Sequence, residues 1–299
     1  MSCGIIAYLT DSCRTEKVME FTNNLLYYSK IRGLHSTGIS YIDCNGEIIT
    51  EKKSCPATYF KEIDHARSDI LIAHTRYSTS GWNWEDPKNA QPLQIDDFHY
   101  KEQENLSFSL CINGVISMLE KEEWEKEYKI KTKTENDSEI LAKLIQEHLI
   151  SEYDMSSSIF GAISMVEPCS VAGALLTKDK RLFLFRNTKR PLYTFNIVGI
   201  NGIFAASTKD IIKRASIDSN LSISKLEKVE PYVINEYFLE KDKNTIVRKR
   251  NNKYTHWFEN TINSDWDIDN IYSKRLIEHW SMKTKKTKEN RGVFKNDFS

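Results

Sequence analysis

The stretch Cys3-Gly4-Ile5-Ile6-Ala7-Tyr8-Leu9 reads as a buried strand that opens on a cysteine. Termini usually fray, so a structural cysteine this close to the start would be insecurely buried. A cysteine at a freed N-terminus has another use. Its thiol is a nucleophile, and its own α-amine, with a pKa of about 8, can serve as the base at neutral pH. Such a unit needs no separate histidine.

Outward from this strand, Val18, Phe21, Leu25 and Tyr28 recur at helical spacing between Thr15 and Lys30, and Arg32-Gly33 closes that segment as a glycine-type C-terminus. Short strands are expected at 38–43, at 46–52 across an Asn45-Gly46 hairpin signal, at 70–75 and at 107–112. Asn136-Asp137-Ser138-Glu139 opens a second helix. In it Asn136 is the expected N-cap and Glu139 its capping-box partner, with Ile140, Leu141, Leu144, Ile145 and Leu149 on one face. Further strands are expected near 159–166, 171–176, 181–186, 193–198, 202–206, 226–240 and 245–249, with a helix near 208–215. Many strands without regular βαβ alternation point to an α+β fold of largely antiparallel sheets covered by helices.

The 299 residues suffice for one large domain or two modest ones. Lys plus Arg and Asp plus Glu number 42 each, so the chain lacks the global positive field of a dedicated nucleic-acid binder. No apolar run approaches the ~18 residues of a membrane span, and the start lacks a basic leader. The expectation is a soluble, cytoplasmic protein. Six cysteines without a C-x-x-C pair argue against a disulfide scaffold or structural zinc, and no metal or cofactor is expected. Glycine is scarce, 11 in all; five of them, Gly4, Gly33, Gly38, Gly81 and Gly114, fall in the short motifs that follow.

Arg32-Gly-Leu-His-Ser-Thr-Gly38 places two glycines in a turn that leads into a strand. Ile70-Leu-Ile-Ala-His-Thr-Arg76 is a strand ending in arginine beside a polar loop, a place suited to bidentate recognition of a carboxylate. Each also has a plain reading, as a connector or a surface ion pair. Asn113-Gly114 would suggest a hairpin, but Val115 to Lys126 is expected to continue as an amphipathic helix. That makes the pair a strand-to-helix turn, where one side-chain amide and one backbone N–H converge on an oxyanion. Asp137 sits in the first turn of its helix, where the dipole favours an ionised carboxylate that could hold an ammonium or simply cap the helix. A thiol, an oxyanion hole, a carboxylate clamp and an ammonium clamp together suit one amino acid above all, glutamine.

With these residues in view, the sequence resembles the class II glutamine amidotransferase domain, an N-terminal-nucleophile glutaminase. The resemblance covers about residues 3–250. Cys3-Gly-Ile is similar to the family's leading Cys-Gly-Ile, and Arg32-Gly33 with Ser36 and Gly38 to its Arg-Gly-x-Asp-Ser-x-Gly. His74-Thr-Arg76-Tyr77-Ser-Thr79 is similar to His-Thr-Arg-Trp-Ala-Thr, and Asn89-Ala-Gln-Pro92 to Asn-Ala-His-Pro. Asn113-Gly114 and Asn136-Asp137-Ser-Glu139 match the last two motifs in order. The resemblance implies a four-layer αββα sandwich of two mainly antiparallel sheets. It implies Cys3 as nucleophile, Asn113 and Gly114 as the oxyanion hole, Arg76 on the glutamine α-carboxylate and Asp137 on its α-ammonium. Arg32 and Thr79 complete the substrate-binding set.

The sequence departs from the family at three points: His35 stands for its Asp, Tyr77 for its Trp, and Ser2 precedes the nucleophile. Removal of Met1 alone leaves serine, so either Ser2 is also removed, or another base serves, or activity is lost. The resemblance further implies a glutaminase half that gives ammonia to a separate synthase subunit. The division expected is a domain over 1–250 and an extension over 251–299. From Tyr272 onward that extension has eight Lys/Arg against three acids, a net of +5; a solvated tail and a partner-docking segment are both open. The competing functions are a silent glutamine-binding regulatory module and an amidase for another amide.

Overall fold

The computed structural model describes residues 3–11, 16–61, 68–78, 83–96, 98, 106–151, 153–166, 169–187, 189–240 and 245–251. Thr79, Gly81 and nearly all of the 251–299 extension lie outside these residues. Among the described residues two sheets form, and every strand pair in them is antiparallel. The first is built from β1 (Gly4–Thr10), β2 (Ser36–Ile42), β3 (Ile48–Lys53), β4 (Ile70–Arg76), β9 (Tyr193–Ile197), β10 (Gly202–Ala206) and β11 (Ile223–Lys228), in the order β11-β9-β10-β1-β4-β2-β3. The second contains β5 (Leu93–Ile95), β6 (Phe108–Asn113), β7 (Ala172–Thr177), β8 (Leu182–Arg186), β12 (Val233–Glu240) and β13 (Thr245–Asn251), in the order β13-β12-β8-β7-β6-β5.

The alternation of side chains along each strand explains the layering. In β1, Ile6 and Tyr8 point to one core and Ile5, Ala7 and Leu9 to another. The first core is closed by α1 (Glu16–Ser29) and α5 (Lys209–Asp218) through Phe21, Leu25, Ile211 and Ile212. The second lies between the sheets, where Ala7, Cys111, Ala172, Ala174 and Ala205 keep the layers close. In the other sheet, Leu110, Leu175, Phe183 and Phe185 point outward to a third core closed by α3 (Ser138–Ile150) and α4 (Met155–Val166), with Trp124 of α2 (Lys121–Tyr128) at its margin. The result is the αββα sandwich. A strand buried on both faces needs apolar residues at every position, hence the uninterrupted run in β1. Each such side chain contributes roughly 1.5–3 kcal/mol.

Three local expectations are corrected. Residues 159–166 belong to helix α4, not to a strand. Met155, Ile159, Ala162, Ile163 and Val166 recur at helical spacing and all enter the third core. The helix expected from Val115 begins only at Lys121, because the Ile116 and Ser117 amides are engaged elsewhere, as described below. The capping box at α3 does not form: Glu139 accepts from the Lys133 and Thr134 amides (2.8 and 2.7 Å), the Asn136 amide donates to Thr134 Oγ1 (3.1 Å), and Asp137 is the cap residue. No helix among the described residues is long and apolar enough to cross a membrane.

Candidate active site

Cys3 stands one residue before β1, and its side chain is 9% exposed. Its carbonyl accepts a hydrogen bond from Arg32 Nε at 2.8 Å, so the turn after α1 pins the backbone of the nucleophile candidate. Two residues on, the Ile5 amide donates to Ser207 Oγ at 2.7 Å. The Cys3 thiol reaches the Tyr77 carbonyl at 3.7 Å. Burial raises the thiol pKa above its ordinary value, the guanidinium groups of Arg76 and Arg32 pull it back, and the Asp137 carboxylate adds to the rise. The resting sulfur is therefore protonated at neutral pH, and attack on a substrate requires a base.

Arg76 ends β4 and is 3% exposed. Burial depresses its pKa, while Cys3 and Asp137 favour the charged form. Arg32, Arg76 and Asp137 thus each lie within electrostatic reach of Cys3, and Arg76 of Asp137, although the four come from four elements. Gly33 is what lets the turn approach. A Cβ there would lie 2.4 Å from the Arg76 carbonyl carbon and 2.5 Å from the Thr75 oxygen, both backbone atoms of a central strand that cannot yield cheaply. Gly33→Ala is expected to destabilise the fold by about 3 kcal/mol, measured by urea unfolding. Gly46, in the β2–β3 turn, has open space around it but a φ of +83°, and its alanine variant should lose only about 1 kcal/mol.

The two departures in this region prove to be one feature. The His35 ring stacks on Tyr77 (4.8 Å between centroids, 25° between planes) and on Trp84 (5.1 Å, 29°). Its Nδ1 accepts from the Ser78 amide at 2.9 Å, and its own amide donates to the Arg76 carbonyl at 3.0 Å. An imidazole that accepts from an amide must be neutral at that nitrogen. Burial and the Arg76 charge both lower its pKa, which keeps it so.

Asn113 closes β6 and is 1% exposed. A Cβ on Gly114 would meet Val171 Cγ1 at 2.7 Å and the Ser170 carbonyl at 3.0 Å, so the turn packs against the chain entering β7. Asp137, 2% exposed, makes no side-chain cap; its Oδ2 accepts instead from the Ile116 and Ser117 amides at 2.6 and 3.1 Å. The carboxylate thereby braces the loop that follows Asn113-Gly114. The end of β6 is also close to Cys3, whose charge adds to the burial that raises the Cys111 pKa.

The fold therefore gathers Cys3, Arg32, Arg76 and Asp137, with Asn113-Gly114 on the facing sheet. Sequence reasoning missed the stack around His35 and the loop-bracing role of Asp137. The aromatic residues 77 and 84 beside a histidine offered a signal for the first; the second, a contact over some twenty positions, left none.

His74, 1% exposed, donates from Nε2 to the Ile112 carbonyl at 3.0 Å and links the two sheets. Burial drives its pKa from 6.5 down to about 3. The unfolded chain binds a proton near 6.5, whereas the folded protein resists doing so until about pH 3. Stability should thus be full above about 6.5 and fall as the pH drops below it, by up to ~1.4 kcal/mol per unit from His74 alone. His35 acts in the same direction. Urea midpoints at pH 7.5 and 5.5 test this, with a smaller fall expected for His74→Gln.

The chain is similar in sequence to glutamine–fructose-6-phosphate aminotransferases and in fold to a glutamine phosphoribosylpyrophosphate amidotransferase. No protein-family model matches the sequence. The glutamine–fructose-6-phosphate aminotransferase (isomerizing) of Helicobacter pylori strain J99 is 26% identical over 287 residues, which cover 93% of this chain and 43% of that protein. The Sulfurisphaera tokodaii aminotransferase of the same name is 26% identical over 291 residues, 94% of this chain and 44% of that one. The chain spans less than half the length of these curated relatives. Solved structures share its fold, among them the following two. The glutamine phosphoribosylpyrophosphate amidotransferase from B. subtilis, complexed with ADP and GMP, superposes with a TM-score of 0.60 at 18% identity, over 83% of this chain and 49% of that one. A structure described as the allosteric regulatory enzyme of purine biosynthesis gives 0.63 at 19%, with the same coverage.

Proposed function

We propose that this chain hydrolyses the side-chain amide of glutamine to glutamate and ammonia. The observation that carries the reading is the convergence of Arg32, Arg76 and Asp137 on the thiol of Cys3. In this reading Arg76 binds the α-carboxylate, Asp137 the α-ammonium, and Arg32 holds the nucleophile's backbone; the resemblance adds Thr79 to the substrate-binding set. The Cys3 sulfur, losing its proton to the base, attacks the carboxamide carbon and forms the C–S bond. Asn113 and the Gly114 amide stabilise the resulting oxyanion. Collapse breaks the C–N bond, and the leaving nitrogen takes the proton and departs as ammonia. Water then attacks the thioester carbon, the C–S bond breaks, and glutamate leaves with the thiol restored. The base is the α-amine of Cys3 once Met1 and Ser2 have been removed.

The ammonia would serve a separate acceptor enzyme, in keeping with relatives named as aminotransferases that are more than twice as long as the matched region. The domain would end near residue 250, with 251–299 as an extension. The cytoplasm suits a catalytic thiol and the free cysteines at 3, 44, 55, 111 and 169. Incubation with glutamine should release glutamate and ammonia in equal amounts. Hydrolysis of simple amides but not of glutamine would overturn the reading.

A further inference from the structure

Gln91 is 2% exposed and belongs to no strand or helix, yet it touches both halves of the candidate site. Leu93 pairs with Leu110 in the β5–β6 register, which places Gln91 opposite Ile112. Pro92 has no N–H and interrupts the ladder, and the Gln91 backbone carbonyl turns away toward Gly38. The side chain then replaces the missing backbone acceptor: Oε1 takes the Ile112 amide at 2.6 Å. An amide N–H only donates, so the orientation is fixed, and Nε2 donates to Ser138 Oγ at 3.0 Å. Ile112 precedes Asn113, and Ser138 follows Asp137.

We propose that Gln91 is a positioning residue that fixes the Asn113 end of β6 and the Asp137 end of α3 relative to each other. This deepens the glutaminase reading and rests on it. Two further groups complete the clamp. His74 Nε2 holds the Ile112 carbonyl at 3.0 Å, so the residue before Asn113 is gripped at both its amide and its carbonyl. Asn89 holds the other side of Asp137: its Oδ1 accepts from the Glu135 amide and its carbonyl from Asn136 Nδ2, both at 2.8 Å. The segment 89–91 thus fixes the residues on either side of Asp137. Oxyanion stabilisation and ammonium recognition act on opposite ends of one substrate, so an error in their separation costs rate as well as affinity.

The test compares Gln91→Leu, which removes the bridge, with Gln91→His, whose ring can accept at one nitrogen and donate at the other. Leu is expected to lower kcat about 10²-fold and to raise KM for glutamine about 10-fold. His should restore kcat to within about 3-fold of the parent, because it rebuilds both hydrogen bonds. Leu with parental kcat and KM, or His as impaired as Leu, overturns the proposal. Amide hydrogen exchange supplies a readout that needs no turnover. In Gln91→Leu, exchange should accelerate at Ile112 and also at Ile116 and Ser117, the amides held by Asp137. Acceleration confined to Ile112 overturns the proposal. A parent protein with no turnover would overturn the glutaminase reading, and the exchange result would still decide the role of Gln91.

Discussion

Cys3→Ala should release no ammonia from glutamine, a loss of about 10⁴-fold or more in kcat, as expected when the atom that forms the covalent intermediate is deleted. The fold should survive. Cys3 shares the parity of Ile5 and Ala7, which face the narrow layer between the sheets, where alanine is common. Arg32 holds the backbone carbonyl of residue 3, not its side chain, so that contact is kept. Arg76 and Asp137 remain as well, and the variant should therefore still bind glutamine. A coupled ammonia assay together with thermal denaturation in the presence of glutamine checks both halves. Retained turnover would remove Cys3 from the mechanism; lost turnover with lost binding would point to collapse of the site.

The second large effect separates the two tasks of Asp137. Asp137→Asn keeps an oxygen that can accept from the Ile116 and Ser117 amides but removes the negative charge. Its stability should lie within about 1 kcal/mol of the parent, while KM for glutamine should rise about 10²-fold because a buried ammonium loses its counter-charge. Asp137→Ala loses both tasks. The two buried amides are left without their acceptor, and stability should fall by about 2–4 kcal/mol in addition. Glutaminase kinetics and urea unfolding on the same preparations distinguish them. Equal KM values for Asn and the parent would assign Asp137 to bracing the loop alone.

The parts of this protein that could be read from sequence are those set by local rules. The uninterrupted apolar run after Cys3 announced a strand buried on both faces. Asn45-Gly46 announced the β2–β3 hairpin, and Asp137 at the start of a helix lies within electrostatic reach of Cys3. Residues 159–166 were ambiguous because a short apolar run suits a buried strand and a buried helix equally; only the helical face that packs in the third core decides it. Only the reciprocal half of the capping box failed: Asn136 Oδ1 accepts from the Ser138 amide at 3.1 Å, but Thr134 took the Asn136 amide and Glu139 turned to the 133–134 backbone. Gln91 was legible only as one member of a motif. Its bridging role depends on a strand register and on a residue 47 positions away, neither of which leaves a local pattern. His35 and Tyr77 looked like two separate departures until their rings were seen to stack.

The central claim, that Cys3 is a glutamine-directed nucleophile, is tested most directly by the intact mass of the purified protein before and after treatment with a glutamine-mimicking diazoketone. The expected result is a starting mass that lacks Met1 and Ser2, a single adduct on Cys3, protection by excess glutamine, and no adduct in Cys3→Ala. A protein that retains Ser2 and takes up no adduct would contradict it.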